Sequence, residues 1–268
     1  MTTNIHDRTM RLVLDIAARD DLKTPAKLYQ ILRLVAKYRS HLIDNTLIRG
    51  GGLTVRSGPF AGMTMAARSA EGCHVPKLLG CYEQELHPVL ARCADAGYDA
   101  VINIGCAEGY YAVGLARLLG GVTVYAHDLD PAAQDACRAL AEVNGVADRV
   151  VVGGGFAVED FEAYRGRRAL VVCDIEGAER DLLDPSRAPA LAGFDILVEL
   201  HDLFDRGVSA EVVARFAATH HIERFGPGAR DIGAYPELVA LEQLDQWLGV
   251  WEWRSGPTPW AFMRAKSS

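Results

Sequence analysis

The strongest constraint on the fold is a regular alternation of short apolar runs and helical stretches that begins near residue 98. The apolar runs are rich in Val and Ile and lie at 99–104, 122–127, 149–152, 169–173 and 195–200. Helices are predicted between them, including those at 107–119, 131–144 and 178–183. β-branched runs separated by helices are typical of a parallel sheet that is covered on both faces. The sequence therefore predicts an α/β fold with a Rossmann-like, doubly wound, mostly parallel sheet.

The end of the chain departs from this alternation. A helix is predicted at 209–220, and strands are predicted at 221–225 and 260–265, with a stretch broken by Gly and Pro between them. No long crossover helix immediately precedes the last strand. Its direction in the sheet is therefore left open.

The first fifty residues are predicted to form two helices. The first covers about 4–19, and the second begins at Thr24 and Pro25 and ends at the glycines 50–52. The second helix carries an apolar stripe at spacings of three and four, formed by Leu28, Ile31, Leu32, Val35, Tyr38 and Leu42. We expect this stripe to pack on the main domain, and a partner chain or a substrate are the alternatives.

These patterns divide the chain into three parts. Residues 1–50 form an N-terminal helical extension, which is either a cap or a dimer surface. Residues 51–97 hold a β-ribbon at 53–66 and a lead-in helix at 82–93. Residues 98–268 form the α/β domain, which carries the predicted binding site.

Composition limits the classes of partner and the compartment. The formal net charge is −7, which disfavours binding to nucleic acid or to an anionic membrane, because both need clustered Lys and Arg. No apolar run reaches the ~18 residues of a membrane span, and the first residues lack the layout of a secretory signal. The six cysteines show no C-x-x-C pair, as expected for reduced thiols. We therefore expect a cytoplasmic protein that binds neither nucleic acid nor membrane.

The most informative segment is the turn between the first predicted strand and its helix. Gly105 lets the backbone turn sharply, and Gly109 is expected to let a ligand approach without a Cβ in the way. The G-x-x-x-G spacing differs from the G-x-G-x-x-G that fits a pyrophosphate, which argues against NAD or FAD. Asp128 follows the second strand, where an acid accepts hydrogen bonds from ribose hydroxyls. Asp130, by contrast, is predicted to cap the next helix.

Four segments between about residues 52 and 205 resemble the class I S-adenosylmethionine-dependent methyltransferases, and most closely their FkbM-like group. They are GCYEQEL at 80–86, INIGCAEGYYAVGLA at 102–116, HDLDP at 127–131 and DIEGAE at 174–179. The resemblance implies a Rossmann-like sheet of seven strands with the last one antiparallel. It also implies S-adenosylmethionine as cofactor and methyl transfer, most often to oxygen.

The resemblance also assigns the residues that contact the cofactor. They are Asn103, Gly105, Cys106, Ala107, Glu108, Gly109, Tyr110, Asp128, Leu129, Gly155, Phe156 and Asp174. Two positions depart from the family pattern. Asn103 stands where the family usually has an acid, so it can accept a hydrogen bond but cannot neutralise an ammonium group. The usual acid after strand three is replaced by glycines and Phe156, so backbone groups and an aromatic face are expected to hold the adenine.

Three polar residues are the candidates for the chemistry. Asp174 follows the fourth strand, and Glu199 and His201 end the fifth, where open α/β sheets bind their ligands. His201 is interpreted as a general base oriented by a carboxylate. The alternatives are a divalent metal held by these three residues, or a structural acid–histidine network. Glu179 is given a local structural role, and the tryptophans within 247–260 either wall the acceptor pocket or pack in the core.

The sequence as a whole predicts an S-adenosylmethionine-dependent methyltransferase that methylates the hydroxyl of a small or sugar-like molecule. One alternative is a non-methylating use of the same cofactor, by transfer or cyclisation of its aminobutyrate arm. Another is a non-catalytic module that binds the cofactor. A homodimer through the N-terminal helices is one assembly that the pattern allows, and the sequence leaves both the oligomeric state and the need for a divalent metal open.

Overall fold

The fold was established from a computed structural model, which describes residues 4–66, 73–203 and 206–266. The helices, numbered in chain order, are α1 (Ile5–Ala18), α2 (Thr24–Gly51), α3 (His74–Leu79), α4 (His87–Ala94), α5 (Tyr110–Leu118), α6 (Pro131–Val143), α7 (Glu179–Leu182), α8 (Val208–Phe216), α9 (Pro236–Val239) and α10 (Gln243–Gly249). The strands are β1 (Ala100–Ile104), β2 (Thr123–His127), β3 (Val150–Gly153), β4 (Ala169–Cys173), β5 (Asp195–Glu199), β6 (His220–Phe225) and β7 (Trp260–Ala265). Short 3₁₀ helices lie at Gln84–Leu86, Val158–Tyr164, Pro189–Gly193 and Ile232–Ala234.

The strands form one seven-stranded sheet in the order β3-β2-β1-β4-β5-β7-β6. The first five strands are parallel, and β7 is antiparallel to both β5 and β6. The mostly parallel, Rossmann-like sheet is therefore confirmed, and the direction of the last strand is settled as antiparallel. This is the arrangement of the class I methyltransferase fold that the resemblance implied.

Hydrophobic side chains cover both faces of the sheet, as predicted. Side chains alternate between the two faces along a strand, so Val101 belongs to one buried cluster and its neighbour Ile102 to another. The first cluster packs under α4, α5 and α6, and the second packs under α8 and Val158–Tyr164. The carboxyl ends of the central strands remain at one edge, where the predicted site residues gather.

Three of the six residues in the apolar stripe of the N-terminal extension are exposed, so its predicted burial on the main domain is wrong for the first half of α2. Leu28, Leu32 and Val35 are 62%, 66% and 42% exposed. Within the described range 4–66, no residue of α1 is buried, and α2 becomes buried only from Ser40 onward. This helix of 28 residues spans about 42 Å. Its first half meets the domain through Arg33, which donates to the carbonyls of Trp253 and Arg254, while the three stripe residues stay exposed. No helix of the described residues is long and apolar enough to cross a membrane.

The lead-in helix predicted at 82–93 is also wrong at its start. The chain forms α3 first, turns at Gly80 and Glu83, which both have positive φ (81° and 48°), and begins α4 only at His87. A Cβ at Gly80 would lie 2.0 Å from the carbonyl oxygen of Ser57. The tight approach of these two segments lies where α3 ends, and the left-handed backbone at Glu83 separates it from α4.

The ribbon predicted at 53–66 is present as a short antiparallel pair. Thr54 and Thr64 form its bridge, and the amide of Val55 donates to the carbonyl of Met63 at 2.8 Å. The ribbon is tied to the main domain by Asn144, whose side chain pairs with both the amide and the carbonyl of Thr64 at 2.8 Å.

Candidate active site

A cavity of about 920 Å³ lies at the carboxyl ends of β1, β2, β4 and β5. All the residues predicted to bind the cofactor line it except Gly109, and so do the three candidates for the chemistry. The lining members of these two sets are Asn103, Gly105, Cys106, Ala107, Glu108, Tyr110, Asp128, Leu129, Gly155, Phe156, Asp174, Glu199 and His201. This is the crevice where open α/β folds bind ligands.

The two glycines of the first turn serve different purposes. Gly105 has a φ of +77°, and a Cβ there would lie 1.7 Å from the carbonyl oxygen of Asp174. This glycine therefore lets β1 and β4 end close together. Gly109 has a φ of +93°, and the place of its missing Cβ is filled by Cys137 of α6, with Sγ 2.8 Å away. Close packing between helices, and not ligand approach, explains the glycine at 109.

Asp128 is held at the mouth of the glycine turn. Its Oδ2 accepts a hydrogen bond from the amide of Ala107 at 2.9 Å, and its Oδ1 accepts one from the amide of Asp130 at 2.9 Å. Asp130 in turn accepts from the amide of Ala132, which confirms that it caps α6. The carboxylate of Asp128 is thus fixed in the cavity wall beside β1. A carboxylate oxygen can accept more than one hydrogen bond, so this arrangement still allows a ligand hydroxyl to donate.

The far end of the cavity beyond Asp128 is apolar. Leu129 is 85% exposed at the rim, and Gly155 lies beneath it, since a Cβ there would meet the Leu129 side chain at 3.1 Å. Phe156 packs edge-on against His127, with ring centroids 4.8 Å apart. Phe156, which follows β3 where the family usually has an acid, therefore gives the cavity an aromatic wall. Such a wall suits a flat heterocycle.

Three polar side chains line the cavity beside β1. The Asn103 side chain is buried and donates weakly to the carbonyl of Val172, at 3.4 Å. Its Oδ1 has no hydrogen-bond partner among the residues that the structure describes. Lys77 of α3, which sequence reasoning missed, forms an ion pair with Glu108, with Nζ and Oε1 2.5 Å apart.

The candidates for the chemistry meet around the imidazole of His201. Its Nε2 lies 3.6 Å from Asp174 Oδ1 and 3.4 Å from Glu199 Oε2. Its Nδ1 is 2.6 Å from Oε1 of Glu179, a carboxylate that is completely buried. The carboxylate closest to the ring is therefore Glu179, which the sequence assigned only a local role.

The neighbouring charges determine which of the side chains around His201 carry a proton. Burial alone would lower the pKa of His201, but hydrogen bonding to Glu179 and the charges of Glu199 and Asp174 raise it to about 10. Burial alone would raise the pKa of Glu199, but His201 and Arg254 lower it to about 2. Burial raises the pKa of Asp174, and the charge of Glu199 raises it further. At neutral pH His201 is thus an imidazolium beside an ionised Glu199.

The same three residues can also hold a divalent cation. Ligand atoms of Asp174, Glu199 and His201 all lie within 4.8 Å of one another. In metal sites a ligating histidine usually gives its other ring N–H to a carboxylate, and Glu179 supplies that partner. Two carboxylate oxygens and one imidazole nitrogen suit Mn²⁺, Fe²⁺ or Zn²⁺. The same three side chains therefore supply the donor set of a metal site.

Curated relatives match only part of the chain. The ribosomal protein L11 methyltransferase of Acinetobacter baumannii (strain SDF) is 51% identical over 59 residues, which cover 22% of this chain and 19% of that protein. The corresponding protein of Acinetobacter baylyi is 49% identical over 90 residues, covering 33% and 29%. That of Pelotomaculum thermopropionicum is 39% identical over 98 residues, covering 37% and 30%. The chain thus spans between about a fifth and a third of the length of these relatives. No protein-family model matches it.

Solved methyltransferase structures resemble the chain at low identity. An O-methyltransferase from Bacillus cereus in complex with SAH has 16% identity and a TM-score of 0.43, covering 68% of this chain and 80% of its own. The O-methyltransferase from Streptomyces achromogenes that is involved in tomaymycin synthesis, in complex with SAM, has 16% identity and a TM-score of 0.45, covering 70% and 82%. The fold assignment rests on the chain's own strand order.

Arg254 is a second site residue that sequence reasoning missed. It lines the cavity and forms ion pairs with Glu83 at 2.6 Å, with Glu252 at 2.9 Å and with Glu199. Burial raises the pKa of Glu83 to about 8, and the charge of Glu199 adds to the effect, while Arg254 opposes it.

Two of the partners that sequence reasoning missed do lie in motifs that the sequence analysis singled out. Glu83 belongs to GCYEQEL at 80–86, and Glu179 belongs to DIEGAE at 174–179. Arg254 carried no comparable signal, because it belongs to the irregular segment before β7.

The tryptophans at 247–260 divide between the two predicted roles. Trp253 lines the cavity, whereas Trp260 is completely buried in β7. Trp251 packs near Trp253, with ring centroids 6.2 Å apart, and Trp247 is 54% exposed. Only Trp253, within the part of the chain that the structure describes, walls the pocket.

Proposed function

We propose that the protein is an S-adenosylmethionine-dependent methyltransferase of the FkbM-like group that methylates a hydroxyl of a small molecule. The observation that carries the proposal is a single cavity with Asp128 fixed in its wall and His201 among three carboxylates in the same space. The partial matches to curated methyltransferases support the transfer of a methyl group. The FkbM-like assignment rests on the motifs at 80–86 and 174–179.

The residues fit this cofactor at three points. Asn103 offers a buried oxygen without a described partner, suited to a donor such as an ammonium group. Asp128 offers a fixed carboxylate to a diol. Phe156 and Leu129 offer apolar surface to a heterocycle. These residues complement the amino acid, sugar and base of S-adenosylmethionine.

When bound, S-adenosylmethionine supplies an already activated methyl group. The chain has to align the acceptor hydroxyl and remove one proton. His201 is the proposed base: Glu179 orients the ring through Nδ1, which leaves Nε2 directed at the cavity to accept the proton. Because the pKa of His201 is raised to about 10, the neutral ring is the minor form at neutral pH. A positive charge placed nearby lowers that pKa and so favours the neutral, basic form.

A small acceptor fits the walls of the cavity better than a protein segment does. The acceptor end is bounded by Trp253, Arg254 and Thr258, and Lys37 of α2 also lines the space. Aromatic and charged groups of this kind suit a compact, polar molecule with one aromatic or sugar ring. We further propose a cytoplasmic location, because all six cysteines, each in a described range, are buried free thiols.

The proposal is tested first by isothermal titration with S-adenosylmethionine and S-adenosylhomocysteine. Binding at micromolar concentrations is expected, and no binding at about 1 mM rejects the function. Candidate hydroxylated compounds are then incubated with the protein and cofactor, and products are identified by mass spectrometry. A methylated product with S-adenosylhomocysteine supports the proposal. Methylthioadenosine as the by-product indicates aminobutyrate transfer or cyclisation instead, and binding without turnover of any compound favours a binding module.

The role of a metal is separated by chelation. If His201 is the base, EDTA leaves turnover unchanged and His201→Gln lowers it by a factor of about 10²–10⁴. If EDTA abolishes turnover and Mn²⁺, Fe²⁺ or Zn²⁺ restores it, the cation activates the hydroxyl and the base assignment is wrong. Cofactor affinity should stay unchanged in either case.

A further inference from the structure

Lys37 of α2 brings a positive charge to the acceptor end of the cavity. It is half-buried and lines the cavity. Each of the other Lys and Arg residues in the cavity wall pairs with a carboxylate; these are Lys77, Arg187 and Arg254. In the part of the chain that the structure describes, no carboxylate lies within ion-pair distance of Lys37. Its ammonium group lies instead over the indole of Trp253, 4.9 Å from the ring centroid.

The face of α2 that carries Lys37 packs on the irregular segment before β7. Arg33, Lys37 and Ser40 follow one another at spacings of four and three, so they share one face of the helix. Arg33 donates to the carbonyls of Trp253 and Arg254, at 2.6 and 3.1 Å. The indole N–H of Trp253 donates to Ser40 Oγ at 3.4 Å. Contacts on both sides of Lys37 therefore fix it and the indole in the cavity wall.

Trp253 is held in a backbone conformation that its side chain disfavours. Its φ is +62°, a left-handed value that bulky residues rarely adopt. Strain of this kind persists only where the surrounding contacts impose it, and it occurs most often at binding and catalytic sites. The contacts with α2 supply that constraint, and the result is an indole that borders the cavity. The conformation of Trp253 therefore points to a ligand-binding role that is independent of the charge on Lys37.

Contacts between side chains connect this segment to the proposed base. Arg254, the neighbour of Trp253 in the chain, forms an ion pair with Glu199. Glu199 Oε2 in turn lies 3.4 Å from Nε2 of His201. An acceptor whose hydroxyl meets His201 can therefore place a second group beside Lys37. A carboxylate or a phosphate in that place gains a charge-assisted hydrogen bond from the ammonium group, whereas a cationic group is repelled.

We propose that Lys37 and Trp253 form an anion subsite for the methyl acceptor. Lys37 binds a carboxylate or phosphate group of the acceptor, and the indole of Trp253 holds the ammonium group in position. The proposal rests on the proposed function and narrows it, because the acceptor becomes a hydroxylated compound that also carries a negative charge. It further gives the N-terminal extension a part in selecting the acceptor.

Two pairs of probe compounds test the charge preference and separate the two kinds of anion. The first pair is 4-hydroxybenzoate and its neutral amide, 4-hydroxybenzamide. The second pair is glucose 6-phosphate and glucose. Each compound is titrated calorimetrically into protein that is saturated with S-adenosylhomocysteine.

In wild-type protein, at least one anion should bind more tightly than its neutral counterpart, by a factor of about 5–20. This range lies between the strength of an exposed ion pair and that of a buried charge-assisted hydrogen bond. The pair that shows the difference identifies the anion as a carboxylate or a phosphate. Equal affinities within both pairs, tighter binding of the neutral compounds, or no binding of any probe to the cofactor-loaded protein would overturn the proposal.

Substitutions at Lys37 assign the preference to this side chain. Lys37→Met removes the charge but keeps an unbranched side chain that packs well on an aromatic ring. It should bind the anionic probe no more tightly than the neutral one, to within about twofold, whereas Lys37→Arg should keep the preference for the anion. The rescue by Lys37→Arg is not expected if Lys37 only attaches α2 to the domain. An unchanged preference in Lys37→Met, or its loss in Lys37→Arg as well, would contradict the assignment.

The matched control is Lys23→Met, which removes the same charge at the start of the same helix. Lys23 is exposed and does not line the cavity, so this variant should show the wild-type preference, and a loss there would also overturn the proposal. Thermal melting verifies folding in each variant. S-adenosylhomocysteine should bind Lys37→Met as it binds the wild type, and a loss of its affinity would contradict a role at the acceptor end. If the wild type does not bind S-adenosylhomocysteine, the proposed function itself fails, whereas cofactor binding without an anion preference rejects only the subsite.

Discussion

Glu179→Gln provides the most direct test of how the site sets the charge on His201. The Glu179 carboxylate contacts Nδ1 at 2.6 Å and is completely buried, so water cannot replace it readily. It is the first of the groups that raise the pKa of His201 to about 10, against the opposing effect of burial. Glu199 and Asp174 also face the ring. Replacing Glu179 by its neutral amide leaves the shape of the site and removes one charge.

The expected shift follows from the strength of this contact. A hydrogen bond to a charged group is worth roughly 1.5–3 kcal/mol, and one pKa unit corresponds to about 1.36 kcal/mol. The pKa of His201 should therefore fall by about one to two units in Glu179→Gln. The sign is fixed, because the carboxylate favours the imidazolium and its loss favours the neutral ring. At pH 8 the variant should hold a larger fraction of neutral His201 than the wild type.

The assay is an NMR titration of ¹⁵N-labelled histidine in the ligand-free protein. His201→Gln identifies the resonance among the eight histidines of the chain. Glu85→Gln is the matched control, because Glu85 is also a buried, ion-paired carboxylate but contacts Arg230 and does not line the cavity. It should leave the titration of His201 unchanged. An unchanged or raised midpoint in Glu179→Gln would refute the idea that Glu179 sets the charge on the ring.

Three other predictions concern the cofactor turn and the N-terminal extension. Asp128→Ala should weaken S-adenosylhomocysteine binding by one to two orders of magnitude in isothermal titration, about 1.5–3 kcal/mol, and a change below threefold would contradict the role of the carboxylate. Gly105→Ala should abolish binding or prevent folding, whereas Gly121→Ala, at a similar φ of +81° but facing open space, should cost only about 1–2 kcal/mol in the free energy of unfolding. Leu28→Gln with Leu32→Gln should convert a dimer into a monomer in light scattering without lowering the melting temperature, and a monomeric wild type would contradict dimerisation through this face.

Much of the fold was predictable because it depends on local patterns. The β-branched runs predicted the five parallel strands, and the helices between them followed from their spacing. Asp128, Asp174, Glu199 and His201 could be placed at one edge because the carboxyl ends of parallel strands share that edge. The start of α4 was missed because Glu83 has a left-handed backbone conformation and a 3₁₀ turn at Gln84–Leu86 comes before the helix. No periodic pattern in the sequence indicates that conformation.

The partners of the site residues could not be predicted in the same way. Glu179 and His201 are 22 positions apart, and Arg254 and Glu83 are 171 apart. Each pairing depends on where two segments pack in space. The glycine at 109 illustrates the same limit: the sequence located it correctly in the turn, but its reason, the packing of Cys137, belongs to a different helix.

The sequence by itself determined the order and type of the main elements and the position of the chemical groups along the strands. Hydrophobic periodicity and glycine conformation depend on a few neighbouring residues, so they can be recognised from the amino-acid sequence. The tertiary structure decided which carboxylate orients His201, which cation pairs with Glu108, and how much of α2 is covered. Those features arise from the packing of segments that are distant in the chain. A charge that is buried there needs an opposite charge beside it, so the packing decides which groups pair.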